Sequence, residues 1–399
     1  MTEPQARLRV VAFMSMCTIL AGCGGSDAPP QSPPPPAQNV PLESPGANAP
    51  LNADAEYDKA AALAAEGRLD SARVVFEAAA AVDPKHSSLS AAVAAYHDAD
   101  AGRMPREVIQ HIFRAMDHAN AGRWNDAHAD AEEAVRLAPG YARAHDTRAK
   151  LFLLQGRYPE AIVAFNRVLT IDSTFAEGYY NRGATYSEMG QHDAAIADYT
   201  RAIELLPSFS DAYRNRGSAY TFKNDAAAAM ADYTRAHELY PAAVEPLYLR
   251  GVLLALLGRW NEAAADYTRA IERDPGHAES YYDRGLAYQN QGDDTRAIAD
   301  YSKAIELNPA NPAALINRGL LLMRGKQFEP AIGDFDKALS VEPAMVVAQY
   351  NKALALDQSA RVAEAIAAYR TFVHQSTPEH AALAKHARER LAALEKQRR

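Results

Sequence analysis

The chain has 399 residues, with 42 Lys and Arg against 50 Asp and Glu, a net charge of −8. An acidic chain with no clustered Lys/Arg face is a poor nucleic-acid binder and does not adhere electrostatically to anionic lipid. Its two cysteines, Cys17 and Cys23, both lie near the start, which leaves no intrachain disulfide to staple the remainder.

In chain order, Arg7 and Arg9 precede an apolar run from Val10 to Leu20 that is too short for a settled membrane span. The run ends in Leu20-Ala21-Gly22-Cys23, which resembles the lipobox of bacterial lipoprotein signal peptides. The resemblance implies that residues 1–22 are a removable signal peptide and that Cys23 is acylated, with palmitate among its chains. Cys17 would be discarded. Cleavage takes away Arg7, Arg9 and Glu3, two positive charges and one negative, leaving −9 on the mature side chains. Gly24 follows the acylated position, which by the same resemblance implies the outer membrane, facing the periplasm. An ordinary secretory signal with a chance cysteine is the alternative. The lipidated N-terminus and linker, 23–52, carry nine prolines, among them Pro29, Pro30, Pro33 to Pro36 and Pro50. They read as an extended, disordered spacer of about 3.1 Å per residue, able to hold the repeats tens of ångströms from a bilayer.

The body of the chain is periodic. Pro207, Pro241, Pro275, Pro309 and Pro343 stand 34 residues apart, and the same lattice reaches back through Ser173 to Pro139. A proline cannot donate the helical hydrogen bond and pushes its predecessor out of the helical region, so it ends a helix at one point in each repeat. In repeat 176–209, Tyr179, Gly183, Tyr186, Ala195, Tyr199 and Ala202 fall on two helical runs broken near Gly190-Gln191. The glycine slot recurs as Gly183, Gly217, Gly251, Gly285 and Gly319, where close helix approach is the reason for a residue that costs a helix about 1 kcal/mol. Small residues (Ala161, Ala195, Ala229, Ala263, Ala297) and an aromatic (Phe165, Tyr199, Tyr233, Tyr267, Tyr301, Phe335, Tyr369) recur on the second helix.

Eight in-phase repeats span 108–379, the outer ones degenerate: Ala115 and Ala131 replace the slot glycine and aromatic in the first, and Ala353 and Ala360 replace glycines in the last. A separate N-terminal repeat, 53–86, matches through Leu63, Gly67, Ala72, Phe76, Ala79 and Pro84. Between them, 87–107 reads as a connecting helix and a turn at Gly102–Pro105. Residues 380–399 read as a capping helix with Lys385, Arg388, Glu389, Arg390 and Glu395 on its outer face.

This pattern closely resembles the tetratricopeptide repeat family. The resemblance implies an all-α solenoid of helical hairpins wound into a right-handed superhelix, which binds proteins or extended peptides. In that family the first helix of each hairpin lines the concave face, and the sixth position of the repeat falls there: Thr147, Asn181, Asn215, Leu249, Asp283, Asn317 and Asn351. Two readings stand. The amides form a ladder that donates to and accepts from a peptide backbone, or they persist by copying of one ancestral repeat, with solvent as partner. Leu249 interrupts the row. One position earlier, Tyr180, Tyr248, Tyr282 and Tyr350 are candidate groove residues, since tyrosine has a large face and a polar tip. At position two, Glu177, Asp211, Glu245 and Glu279 form an acidic rim or simply suit a helix N-terminus. Arg182, Arg216, Arg250, Arg284 and Arg318 precede the slot glycine, and Asp198, Asp232, Asp266, Asp300 and Asp334 precede the slot aromatic. A structural arginine–carboxylate pair within each of these five repeats is expected, whereas repeats 142–175 and 346–379 have Ala164 and Ala368 at the aspartate position. Chaperone-tail clamps of the family need lysine at positions two and five, and these are not present.

No catalytic, metal or cofactor constellation stands out, and His118 and His128 are expected as surface residues. The expected function is a non-catalytic scaffold held at the outer membrane by its acyl chains alone, docking protein partners. A pilotin-like assembly factor for a secretin or pilus, and an envelope enzyme with an unrecognised site, are the alternatives.

Overall fold

The computed structural model describes residues 53–83 and 86–397. The signal peptide, Cys23, the proline-rich linker and Pro84 lie outside the described residues. Everything described is helical or turn, as the repeat pattern requires, and consecutive helices pack as hairpins. The described residues divide into two compact units, one ending at residue 241 and the other beginning at residue 242.

In the first unit, α1 (Ala53–Ala65) and α2 (Leu69–Val82) form a hairpin, followed by a lone helix α3 (Ser87–Asp100). Four more hairpins complete it: α4 (Glu107–Asn120) with α5 (Trp124–Leu137), α6 (Ala142–Leu154) with α7 (Tyr158–Ile171), α8 (Ala176–Glu188) with α9 (His192–Leu205), and α10 (Ser210–Phe222) with α11 (Ala226–Leu239). α1 also packs on α4, which brings the N-terminal repeat onto repeat 108–141. Phe76, Tyr96, Leu89 and Ile109 are fully buried together there, and the Phe76 and Phe113 rings stack at 5.4 Å.

The second unit holds α12 (Glu245–Leu256) with α13 (Trp260–Arg273), α14 (Ala278–Asn290) with α15 (Asp294–Leu307), α16 (Pro312–Arg324) with α17 (Phe328–Val341), and α18 (Val346–Gln358) with α19 (Val362–Gln375). A final helix, α20 (Ala381–Gln397), closes it by burying Ala384, Ala387 and Leu394. Arg390 of α20 donates twice to Asp357 at 2.9 Å, and Arg370 of α19 donates to Glu395.

Five hairpins share one close contact. A methyl group added at Gly183, Gly217, Gly251, Gly285 or Gly319 would meet the ring of the slot aromatic sixteen residues on, at 3.0, 2.9, 2.7, 2.9 and 2.8 Å. The slot rings Tyr199, Tyr267, Tyr301 and Phe335 are essentially fully buried. Burying one such ring stabilises the hairpin by roughly 1.5–3 kcal/mol. Where the pattern degenerates it does so consistently in repeat 108–141, whose Ala115 faces Ala131 in place of a ring. In repeats 142–175 and 346–379, Ala149 with Phe165 and Ala353 with Tyr369 show that a small shift can admit a methyl. Each hairpin turn needs one residue at positive φ. Glycine supplies it at Gly156, Gly190, Gly258 and Gly292, whereas Asn224, Lys326 and Ala360 adopt φ of 60, 59 and 62° without that freedom.

Two substitutions probe these contacts. Gly251→Ala forces the Tyr267 ring aside and should lower stability in urea by about 1 kcal/mol, the low end of overpacking costs, despite alanine's better helix propensity. Ala360→Gly relieves a left-handed alanine and should raise stability by about 1 kcal/mol. Opposite signs in either denaturation curve would refute the corresponding contact.

Candidate functional site

The first helices of the hairpins carry the candidate residues, and their polar groups face each other across repeats. Asn215 donates from Nδ2 to the Tyr180 hydroxyl at 3.0 Å, and Asn317 to the Tyr282 hydroxyl at 3.2 Å. The Tyr248 hydroxyl donates to Asp283 Oδ2 at 2.9 Å. Asn181 donates to Asp146 Oδ1 at 2.8 Å, with Asp146 standing at the position that Tyr180, Tyr248, Tyr282 and Tyr350 hold in later repeats. In these four pairs of neighbouring repeats the fifth position of one is bonded to the sixth position of the next, 35 residues on. The two candidate sets therefore meet in pairs.

Asn181, Asn215 and Asn351 are buried, and the amide donors of Asn181, Asn215 and Asn317 are already engaged. Asn351 follows Ile316, which offers no polar side-chain atom at the matching position. Thr147 is buried with its hydroxyl on the Arg143 carbonyl at 3.0 Å, and Leu249 is buried. Tyr350 continues the row into α20, bonding His386 Nδ1 at 2.9 Å.

The tyrosines keep part of their surface in solvent. Tyr180 packs on Phe209 and Tyr199 with ring centroids at 4.8 and 5.9 Å, and Tyr248 on His277 at 5.0 Å. Tyr282 lies 5.8 Å from Tyr301, and Tyr350 lies 5.1 Å from Phe372. Rings held in this way present an ordered apolar face whose rotamer entropy is already lost, which lowers the cost of binding. On the rim, Glu177 accepts from Arg143 at 3.1 Å and Asp211 from Arg214 at 3.2 Å.

A second polar system braces the hairpins. Each of Arg182, Arg216, Arg250, Arg284 and Arg318 donates from Nε and Nη2 to the two oxygens of its aspartate at 2.6–2.8 Å. Arg182, Arg216, Arg284 and Arg318 also reach back from Nη1 to Asn166, Thr200, Thr268 and Ser302 on the preceding hairpin. The position-four tyrosines Tyr179, Tyr213 and Tyr281 lie under these guanidiniums at 5.5 Å.

Repeat 108–141 has the same pair at the same positions, Arg114 and Asp130, which the column pattern contains but the degenerate neighbours Ala115 and Ala131 mask. There Asp130 is clasped by His111 Nδ1 at 2.8 Å, His118 Nε2 at 3.3 Å and Arg114 at 3.4 Å. The expectation of His118 and His128 as surface residues is corrected. Both are partly buried, His118 against Asp130 and His128 against Gln155 and the Phe152 ring. Among the described residues, no group of three or more His, Cys, Asp or Glu is arranged to hold a metal ion.

Asp283 is the one acid in the asparagine row. Burial pushes its carboxyl up to about 7, and the charge of Glu279 adds to this against the lowering effect of the Tyr248 hydroxyl. Burial also raises Tyr248 well above the ordinary tyrosine range, so it remains a donor. The folded carboxyl holds its proton to about pH 7, whereas an unfolded aspartate loses it near 4. The folded state therefore binds more protons in this window, and stability falls as pH rises through it. Asp283→Asn, which installs the residue of the neighbouring rows, should be more stable than the parent above pH 7.5 by on the order of 1–2 kcal/mol, discounted because some of the side chain reaches solvent. The difference should vanish by pH 4 in thermal denaturation; a pH-independent difference would show that the carboxyl is not held protonated.

Models of the tetratricopeptide repeat match residues 176–209 and, in four overlapping stretches, 221–278, 248–312, 282–344 and 316–381. A TPR repeat model matches 149–190. No curated protein matches the chain. Among solved structures, MamA is 27% identical over 40% of this chain and 94% of its own, with a TM-score of 0.39. The C-terminal part of a TPR repeat-containing protein from Cytophaga hutchinsonii is 17% identical over 60% and 98%, with a TM-score of 0.51. The APC/C hetero-tetramer Cut9–Hcn1 is 17% identical over 76% and 63%, with a TM-score of 0.52. The last two share the fold with this chain.

Proposed function

We propose, from a chain built of tetratricopeptide repeats, a non-catalytic scaffold that docks partner proteins or extended peptides and is tethered to the bacterial outer membrane through acylated Cys23. The observation that carries the docking part is a half-buried tyrosine recurring at one position of the first helices, Tyr180 in the first unit and Tyr248, Tyr282 and Tyr350 in the second, each packed against a neighbouring ring. With the asparagine donors committed between repeats, the ring faces rather than the amides are the contact surface, and the amides set their spacing. The tethering part rests on Leu20-Ala21-Gly22-Cys23 and the proline-rich spacer behind it. No helix among the described residues is long and apolar enough to cross a membrane, so the acyl chains would supply the membrane attachment of this reading.

Two measurements test it. In a bacterial host, the parent should label with palmitate and fractionate with outer membranes, and Cys23→Ser should do neither; identical behaviour of the two defeats the anchor. Partners captured from envelope extract by the Cys23→Ser protein should fall at least fivefold when Tyr180, Tyr248, Tyr282 and Tyr350 become alanine. They should persist when the same four become phenylalanine, which keeps the rings and removes only the hydroxyl bonds. Equal capture by the alanine variant would move binding off this row.

A further inference from the structure

One repeat keeps the bracing arginine and lacks its aspartate. In repeat 142–175, Arg148 holds the arginine position and Ala164 the aspartate position. Repeat 346–379 has the same gap at Ala368, but its cation, Lys352, reaches back to Asp336 on the preceding hairpin at 2.6 Å. Glu132 holds the matching place behind Arg148, yet the two form no ion pair. Arg148 has a fully buried Nε with no hydrogen-bond partner, and among the described residues its guanidinium makes no ion pair.

The vacated place opens into a groove of about 610 Å³ walled by Arg148, Phe152, Pro159, Val163, Ala164 and Arg167. Arg167 also lacks a partner among the described residues. Glu160, the acid on the rim, is occupied by Arg157 at 3.0 Å. Val163 is 70% exposed beside the two arginines, an apolar wall left in water. Both positive charges are felt by buried His145, which burial first, and then Arg148 and Arg167, hold below the usual histidine range in spite of its bond to the Pro139 carbonyl.

We propose that this groove is a second docking site, which takes an Asp or Glu side chain of an acidic partner peptide, with an adjacent apolar residue laid on Phe152 and Val163. The partner's carboxylate supplies in trans what Asp198, Asp232, Asp266, Asp300 and Asp334 supply in cis. The five sister repeats display the geometry, a fork of Nε and Nη2 on two carboxylate oxygens at 2.6–2.8 Å. A guanidinium prefers a carboxylate in that planar bidentate arrangement, and a buried donor left unpaired gains most from receiving one. The space left by replacing aspartate with alanine is the size of a carboxylate, and the apolar walls suit a peptide side chain better than a free inorganic anion. The site shares with the proposed function only the premise that the chain docks proteins, and it lies off the tyrosine row.

The test uses the whole Cys23→Ser chain and fluorescein-labelled Gly-Asp-Leu-Asp-Leu-Gly, with Gly-Asn-Leu-Asn-Leu-Gly as the neutral counterpart, read by fluorescence anisotropy. The acidic peptide should bind at least tenfold tighter than the neutral one. Ala164→Asp, which restores the internal partner and the fold's own arrangement, should weaken it at least tenfold while raising the melting temperature, and Arg148→Gln should weaken it equally. The four tyrosine-to-alanine changes should leave this binding unaltered, so that loss of the tyrosine row and loss of this groove are told apart. Equal affinity for the two peptides, undiminished binding by Ala164→Asp, or displacement by inorganic phosphate at the peptide's own concentration would each overturn the proposal. So would binding that emerges only in Glu132→Gln, which would mean that Glu132 fills the place from within.

Discussion

The rest of this structure depends on a backbone-to-ring contact: a helix surface at the slot glycine laid flat against an aromatic side chain of its hairpin partner. Five repeats make it with glycine, at separations where an added methyl would lie 3.0 Å or less from the ring. The contact fixes how closely the two helices approach, and that distance determines where every other residue of the repeat stands. The Arg–Asp fork can span the hairpin because the two positions adjoin this contact, one residue before the glycine and one before the ring.

On that frame the polar groups form two systems with different reach. The arginine forks join the two helices of one repeat and touch the second helix of the repeat before it. Buried ion pairs of this kind gain little net energy once desolvation is counted, but an arginine without its acid is costly. Any sliding of neighbouring helices that parted an arginine from its aspartate would therefore be penalised. The tyrosine–amide bonds join first helix to first helix, and so control spacing along the candidate binding row. Both systems put directional bonds at the junctions between repeats, where apolar packing alone would tolerate small rotations.

Degenerate repeats show the same physics by what they substitute. Repeat 108–141 gives up its ring and its glycine together, and holds Asp130 with two histidines in addition to a more distant arginine. Repeat 346–379 gives up its aspartate and uses a lysine long enough to find Asp336. Repeat 142–175 gives up its aspartate too, but among the described residues its arginine finds no replacement, which leaves a cation beside a groove.

The fold was legible from residues alone, because a helix-ending proline, a glycine that admits a ring and the ring itself recur at one interval, and each has a local physical cause. The Arg–Asp pairing was legible for the same reason, since both partners belong to one repeat and the offset never varies. What the tertiary structure decided was every relation between repeats. Asparagines at position six and tyrosines at position five read as two independent sets of ligand contacts when columns are aligned, and only stacking reveals that a tyrosine of one repeat meets the amide of the next. The protonation of Asp283 and the isolation of Arg148 were out of reach as well. A sequence states which charge is present, whereas burial and the distance to the nearest counter-charge are set by three-dimensional packing.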